Sequence, residues 1–394
     1  MTRQAVIIDA LRSPVGRGRA SGALSTVHPV ELLAQVLRPL VERNNLDPAA
    51  VDDVIIGCVS QAGEQATTPG RMAWLAAGFP ASVPATTIDR RCGSSQQAAH
   101  FAAQGVMAGA YDIVIAGGVE SMSQVPLASA RLGKDTFGPS VTARFAPGLV
   151  PQGISAELVA AKWNLGREAL DAYSARSHMR AQDAADSGLS EREITPVARP
   201  DGEIVSRDET IRPDTTVEKL AGLPPAFRSE EMSARFPEIG WHITAGNSSS
   251  IADGASALLI MSDERAAQLG LEPRARFHSF AVCGDDPVLM LTGPIPATGQ
   301  VLQRGGLSIS DIDHFEVNEA FAPVPLMYAA EFGIDEERLN PLGGAIALGH
   351  PLGSSGTRLI TTLLSGLEST GGRWGLVTMC EGGGMANATI LERL

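Results

Sequence analysis

Long apolar runs are missing from this chain: no stretch approaches the roughly 18 residues that a membrane-spanning helix needs, so no span is expected. A basic excess is missing too. With 31 Lys and Arg against 44 Asp and Glu, the net charge of −13 argues against nucleic acid as a partner, because such proteins carry a basic stripe. Aromatics are scarce, at three Tyr and four Trp, and 44% of the residues are apolar, which with 42 Gly fits a soluble enzyme built on Ala, Gly, Val and Leu. Cysteine is scarce as well. Cys58, Cys92, Cys283 and Cys380 show no CxxC spacing, which supports neither a disulfide framework nor a zinc site, and no metal is expected. The opening Met1-Thr-Arg-Gln-Ala-Val-Ile-Ile8 lacks a signal peptide's apolar region, so a cytoplasmic location is expected. Gly16-Arg-Gly18-Arg-Ala-Ser21 has two glycines of a dinucleotide fingerprint but not the third, which discards NAD.

Against this background Cys92 stands out, between a strand-like run and a helical one in Thr86-Thr-Ile-Asp-Arg-Arg-Cys92-Gly-Ser-Ser-Gln-Gln-Ala-Ala-His100. A cysteine at a helix start faces unpaired N–H groups and the positive end of the helix dipole, both of which favour thiolate. Arg90 and Arg91 would add to that field. A lone cysteine is as readily a small buried hydrophobe, but two further segments supply partners for a nucleophile. In Asn340-Pro-Leu-Gly-Gly-Ala-Ile-Ala-Leu-Gly-His350-Pro-Leu-Gly-Ser-Ser-Gly356, five glycines surround one His and imply a backbone packed closely against a ligand or a loop. In Val377-Thr-Met-Cys380-Glu-Gly-Gly-Gly-Met385, a second cysteine leaves a strand into a glycine turn.

The chain also repeats itself. Asp52-Asp-Val-Ile-Ile-Gly-Cys-Val-Ser-Gln-Ala-Gly63 matches Asp311-Ile-Asp-His-Phe-Glu-Val-Asn-Glu-Ala-Phe-Ala322 in character, and the run from Ile113 matches the run from Leu376. Short apolar runs separated by helical patterns, such as 30–43 and 94–109, predict parallel βαβ units covered by helices on both sides. Two such units make a layered α/β/α/β/α body. Between them, 122–250 has a different texture: predicted helices at 155–163 and 167–187 with Pro- and charge-rich loops, read as a lid. The expected domains are an N-terminal half at 1–121, to which 251–270 returns, the inserted lid at 122–250, and a C-terminal half at 271–394.

With these motifs the chain resembles the thiolases, the acetyl-CoA acyltransferases, over essentially its whole length. It also carries Asn318-Glu-Ala-Phe-Ala322, Thr244-Ala-Gly-Asn-Ser-Ser249 followed by Asp253-Gly254, Gly293-Pro-Ile-Pro296, and the opening Asp9-Ala-Leu-Arg-Ser-Pro14 with Gly22-Ala-Leu-Ser25. The resemblance implies a duplicated α/β body and a homodimer or homotetramer. It implies coenzyme A and acyl-CoA as substrates, with no permanently bound cofactor. The implied reaction is coenzyme-A-dependent cleavage of a 3-ketoacyl-CoA, a degradative step of fatty acid β-oxidation. Cys92 would be the nucleophile and His350 its base, with the oxyanion held by the N–H groups of Cys92 and Gly382. Asn318 would fix a water that, with His350, holds the enolate oxygen, and Cys380 would move the enolate proton. Ser249 would contact the pantetheine part of coenzyme A and Arg212 its nucleotide end, with Phe227 and Phe321 as channel walls. The other cations of 199–235, namely Arg207, Lys219, Arg228 and Arg235, are expected near the coenzyme.

Four departures from the family pattern bear on the substrate. Glu381 replaces a common apolar residue, and a carboxylate there would raise a thiol's pKa. Gln152 stands where short-chain relatives carry Met, Ser95 where Gly is common, and the link 228–241 is long. Together they predict a reshaped channel for a long or ring-bearing acyl chain. The alternatives are a biosynthetic acetoacetyl-CoA thiolase, a ketoacyl synthase type of condensing enzyme, which needs no second cysteine, and a non-catalytic acyl-CoA carrier.

Overall fold

The structure, a computed structural model, describes residues 3–394; Met1 and Thr2 of the opening run lie outside it. Its main strands are β1 (Ala5–Arg12), β2 (Asp53–Gly57), β3 (Ala85–Ile88), β4 (Ile113–Ser121), β5 (Ala252–Ser262), β6 (Ala275–Gly284), β7 (His314–Val317), β8 (Trp374–Glu381) and β9 (Met385–Arg393). They form one sheet in the order β7-β8-β9-β6-β1-β5-β4-β2-β3, with the short strand Gly16–Arg17 added on β5. The helices that matter here are α1 (Pro29–Glu42), α2 (Ser94–Met107), α3 (Gln152–Lys162), α4 (Arg167–Asp186), α5 (Glu230–Arg235), α6 (Pro294–Gly305) and α7 (Ser355–Thr370).

The sheet has two like halves. β1-β5-β4-β2-β3 corresponds to β6-β9-β8-β7, and the missing fifth strand of the second half is reduced to a single bridge between Phe315 and Leu339. The halves meet at β1 and β6 through Val6 with Arg276 and Ile7 with Ala275. Strand side chains alternate between two cores, as the pleat requires. In the first half, Val54, Ile56, Ile113 and Ile115 face outward onto α1, while Ile55, Val114 and Ala116 face inward onto α2 and α7. α7 is buried from Ser355 to Leu367 without a break, as expected of a helix covered on every side. It lies against Ala98, Ala99, Ala102 and Ala103 of α2, whose small side chains let the helices approach closely. This gives the layers α1, half-sheet, α2 with α7, half-sheet, α6.

Two sequence expectations are corrected. The sheet is mixed rather than parallel: only β2–β3, β2–β4 and β7–β8 are parallel, while β1–β5, β4–β5, β6–β9 and β8–β9 are antiparallel. β8 and β9 are joined by the turn Gly382-Gly383-Gly384, far too short for the crossover that parallel strands need. Gly383 and Gly384 take φ of 93° and 76°, which only glycine adopts freely. The repeat register is also shifted. The Asp52 carboxylate accepts from the N–H groups of Asp112 and Ile113, and the Asp313 carboxylate from those of Arg373 and Trp374. Asp52 therefore corresponds to Asp313, not Asp311, and Ile113 to Trp374, not Leu376. At the same separation along the chain, Ser94 of α2 matches Ser355 of α7, Cys92 matches Gly353, and Glu120 matches Glu381.

Candidate active site

After β3 the chain turns sharply through Arg91, at φ 49°, and enters α2. The Ser94 hydroxyl closes that turn, accepting from the Arg90 N–H at 2.9 Å and donating to the Arg91 carbonyl at 2.6 Å. Cys92 sits inside it, 4% exposed. The N–H groups of Gly382 and of Cys92 itself, and the Gln152 amide, address its sulfur and favour thiolate. Burial and the nearby Glu381 outweigh them and push the thiol up to about 12. Arg91 is half exposed and turned toward Asp89 at 3.7 Å, so desolvation decides the balance. Resting Cys92 is a thiol that needs a base.

The loop carrying His350 is pressed onto the start of α2. The Thr357 N–H donates to the Ser95 hydroxyl at 3.0 Å, and a Cβ on Gly356 would lie 2.2 Å from the Gln96 nitrogen. Ser95 is thus a joint between α2 and α7 and does not face the substrate side, contrary to expectation. His350 is 5% exposed, with Nδ1 2.6 Å from the Ser355 hydroxyl, which itself donates to the Pro351 carbonyl at 2.8 Å. The hydroxyl's single proton is thereby used, so Nδ1 carries the ring hydrogen and Nε2 is left as the acceptor. Asn318 Nδ2 lies 3.4 Å from that Nε2. Burial first, and Arg358 second, hold the imidazole neutral, down to about 3. Ser355 was missed in the sequence; its only signal is its position one turn past His350, at a helix start.

Cys380, next to last in β8, is 1% exposed; burial, then the proximity of Cys92, pushes its thiol up. Its neighbour in the sheet layout, the exit of β7, organises the rest. Glu319 accepts from Tyr173 and Ser177 of α4 at 2.7 Å each, from Asn340 at 3.1 Å and from the Ile346 N–H at 3.0 Å. It thereby ties α4 to the His350 loop. The Ser249 N–H donates to the Ala320 carbonyl at 3.0 Å. Phe321 meets Phe227 edge to face, centroids 6.1 Å apart, and the Phe227 ring lies on Gly153 so tightly that a Cβ there would be 2.4 Å away. Contacts therefore run from Ser249 to Ala320, and from its neighbour Phe321 through Phe227 to Gly153, next to the Gln152 that meets Cys92.

Arg212 lines a cavity of about 200 Å³ beside Ser250 and Ile251, together with Thr210, Arg17 and Arg19. Of the other cations of 199–235, Arg207, Lys219, Arg228 and Arg235 do not line it. Lys219 pairs with Asp214 at 2.6 Å, and Arg235 donates to the Gly148 carbonyl at 2.8 Å. Arg17 and Arg19 come instead from the Gly16–Ser21 segment already set aside as no dinucleotide site. Among the described residues, no group of three or more His, Cys, Asp or Glu could hold a metal ion, and no helix is long and apolar enough to cross a membrane.

Comparison with known proteins matches this geometry. The thiolase N-terminal domain family matches residues 5–264 and the thiolase C-terminal domain family residues 271–393. The chain is 48% identical to the steroid 3-ketoacyl-CoA thiolase of Mycobacterium tuberculosis, over 99% of this chain and 94% of that protein. It is 45% identical to the 3-ketoacyl-CoA thiolase of Pectobacterium carotovorum, over 99% of both. The crystal structure of the Bacillus anthracis acetyl-CoA acetyltransferase superposes with a TM-score of 0.89 at 37% identity, covering 100% of this chain and 99% of that one. Matched at both ends by thiolase domain families, and carrying Cys92 and Cys380 set together and an Asn318–His350 pair, the chain belongs to the thiolase family of acyltransferases.

Proposed function

We propose that this protein is a degradative 3-ketoacyl-CoA thiolase. His350 Nε2 takes the proton of Cys92, and the sulfur attacks the 3-keto carbon. The alkoxide so formed is held by the N–H groups of Cys92 and Gly382. Its collapse breaks the bond between C2 and C3, leaving the acyl group on Cys92 and the acetyl-CoA enolate, which takes a proton from Cys380. A second coenzyme A then accepts the acyl group and regenerates the Cys92 thiol. His350 and a water fixed by Asn318 hold the thioester oxygen of the enolate. The observation that carries this assignment is the adjacency of the Cys92 and Cys380 thiols, with the Gly382 N–H at the Cys92 sulfur. A ketoacyl synthase type would have no use for Cys380, nor a carrier for all four groups.

Ser249, Phe321 and Phe227 would line the pantetheine arm, and Arg212 with Arg17 and Arg19 would meet the coenzyme's phosphates. For the acyl chain we favour a long or ring-bearing one. In the 228–241 link, Met232, Phe236 and Trp241 pack around Val150, Ile154 and Leu158, bracing the helix that begins at Gln152. A braced wall with a polar Gln at the nucleophile differs from a short-chain pocket, and the mycobacterial relative bears a steroid name. A cytoplasmic homodimer or homotetramer completes the proposal. Leu127 and Leu132, 56% and 81% exposed, supply apolar surface for assembly. The deciding experiment compares kcat/KM for acetoacetyl-CoA, a long-chain 3-ketoacyl-CoA and a steroid-bearing one. Best activity on acetoacetyl-CoA would overturn the substrate assignment, and acyl transfer to a cysteine other than Cys92 would overturn the mechanism.

A further inference from the structure

Glu381 is the last residue of β8, completely buried, and neither of its carboxyl oxygens has a hydrogen-bond partner. Its side chain lies against the start of α2: a Cβ on Gly93 would be 1.9 Å from its Oε1. The duplication supplies an internal reference for such a position. The matching carboxylate, Glu120, accepts from the N–H groups of Val59, Ser60 and Gly353 and from the Gln65 amide. Gly353 is the residue that matches Cys92. In the second half the equivalent N–H, that of Cys92, addresses the Cys92 sulfur instead and is not given to the carboxyl. One donor that would satisfy Glu381 as an anion, the Cys92 N–H, is thus turned to the sulfur.

We propose that Glu381 is a positioning residue that works as a neutral carboxylic acid behind Cys92, and that its ionisation sets the alkaline limit of the reaction. The proposal rests on Cys92 being the nucleophile. Negative charge develops in turn on the Cys92 sulfur, on the oxygen at the Cys92 and Gly382 N–H groups, and on Cys380, and an ionised Glu381 opposes each of them. The charged and titratable groups around it are few. Cys380 shares its strand; Asp89, Arg90 and Cys92 come from the turn before α2; Cys283 comes from β6. Arg91 rests its stem on Gly382 but directs its charge to Asp89. Arg90 is the one cation favouring the ionised form, and its buried Nε has no partner. Burial dominates and moves the carboxyl up to about 8, so it is neutral below that pH and charged above it.

The test measures iodoacetamide alkylation of Cys92, read by mass spectrometry on the full-length protein between pH 6 and 10, a readout that needs no substrate. Wild type should gain rate with pH and then flatten near pH 8, as Glu381 ionises and raises the cost of the thiolate. Glu381→Gln should lose that bend and continue to rise, reaching an alkylation rate about tenfold above wild type at the alkaline end, as a like charge shifts a neighbour by about one pH unit or more. Arg90→Met keeps the buried carboxyl and should move the bend to higher pH, which keeps the test open if Glu381→Gln fails to fold. Superimposable profiles for wild type and Glu381→Gln, or a bend unmoved by Arg90→Met, would overturn the proposal. Alkylation and acylation away from Cys92 would overturn the thiolase mechanism instead, so the two failures are distinct.

Discussion

Gly356→Ala tests the idea that the α2–α7 seam holds the catalytic groups in register. A Cβ there would stand 2.2 Å from the Gln96 nitrogen, 2.7 Å from the Gln96 Cβ and 2.8 Å from its Cα, whereas ordinary contacts begin at 3.4 Å. Backbone cannot swing aside as a side chain can, so the two helices must part by about 1.2 Å, the gap between 2.2 and 3.4 Å. Overpacking of this kind costs about 1–3 kcal/mol of stability. Because α7 follows His350 and α2 follows Cys92, the same displacement separates base from nucleophile, and a misplacement of about 1 Å costs about 100-fold in rate. Single-turnover acylation of Cys92 should therefore slow about 100-fold while the melting temperature falls. Gly299→Ala is the control. It makes the same change inside α6, where nothing lies within 4 Å, and should stabilise by about 0.5–1 kcal/mol without altering the rate. A Gly356→Ala enzyme with wild-type acylation would refute the seam argument.

Cys380→Ser should still accept an acyl group on Cys92 but lose hydrogen exchange at the methyl of acetyl-CoA by at least about 100-fold; exchange at the wild-type rate would assign the base elsewhere. Ser355→Ala frees the His350 ring to adopt the other tautomer and should lower kcat about threefold to tenfold, the worth of one hydrogen bond, at unchanged KM; a pure KM effect would contradict it. His350, held down to about 3, should show no NMR titration between pH 8 and 5, seen as a difference against His350→Gln. The sign for stability follows: the unfolded chain protonates this His near 6.5, so its contribution is complete above that pH and is lost as pH falls toward 3, by at most about 1.4 kcal/mol per unit. A His350 midpoint near 6.5 would refute the buried, neutral base.

What the sequence showed and what it hid divide along physical lines. Cys92, His350, Cys380 and Gly382 were legible because glycine and cysteine at strand ends are rare combinations with few structural uses. The repeat was visible, but its register was not: apolar strand residues are interchangeable, and only the bonds of Asp52 and Asp313 to the next strand fix the alignment. The mixed sheet was hidden because a fully buried strand reads alike in either direction. The surroundings of Cys92 were legible only in part, because a helix start and two arginines are local, whereas burial and the packing of Glu381 onto Gly93 arise from the far half of the chain. Ser95 looked like a pocket residue for the same reason; its partner, the Thr357 N–H, is contributed by α7. Arg17 and Arg19 share a cavity with Arg212 only once Gly16–Arg17 pairs with β5.

Duplication has left a division of labour at this seam. Cys92, the proposed nucleophile, precedes α2 of one copy, and His350, the proposed base, precedes α7 of the other, in a segment of the same length as its counterpart whose fifth strand is reduced to the bridge at Leu339. Neither copy owns a complete apparatus, so the reacting pair exists only while the two copies are docked. On the proposed mechanism, catalytic competence in this chain is a property of an internal heterodimer, and any perturbation that loosens the docking would disarm the enzyme before it unfolds either half.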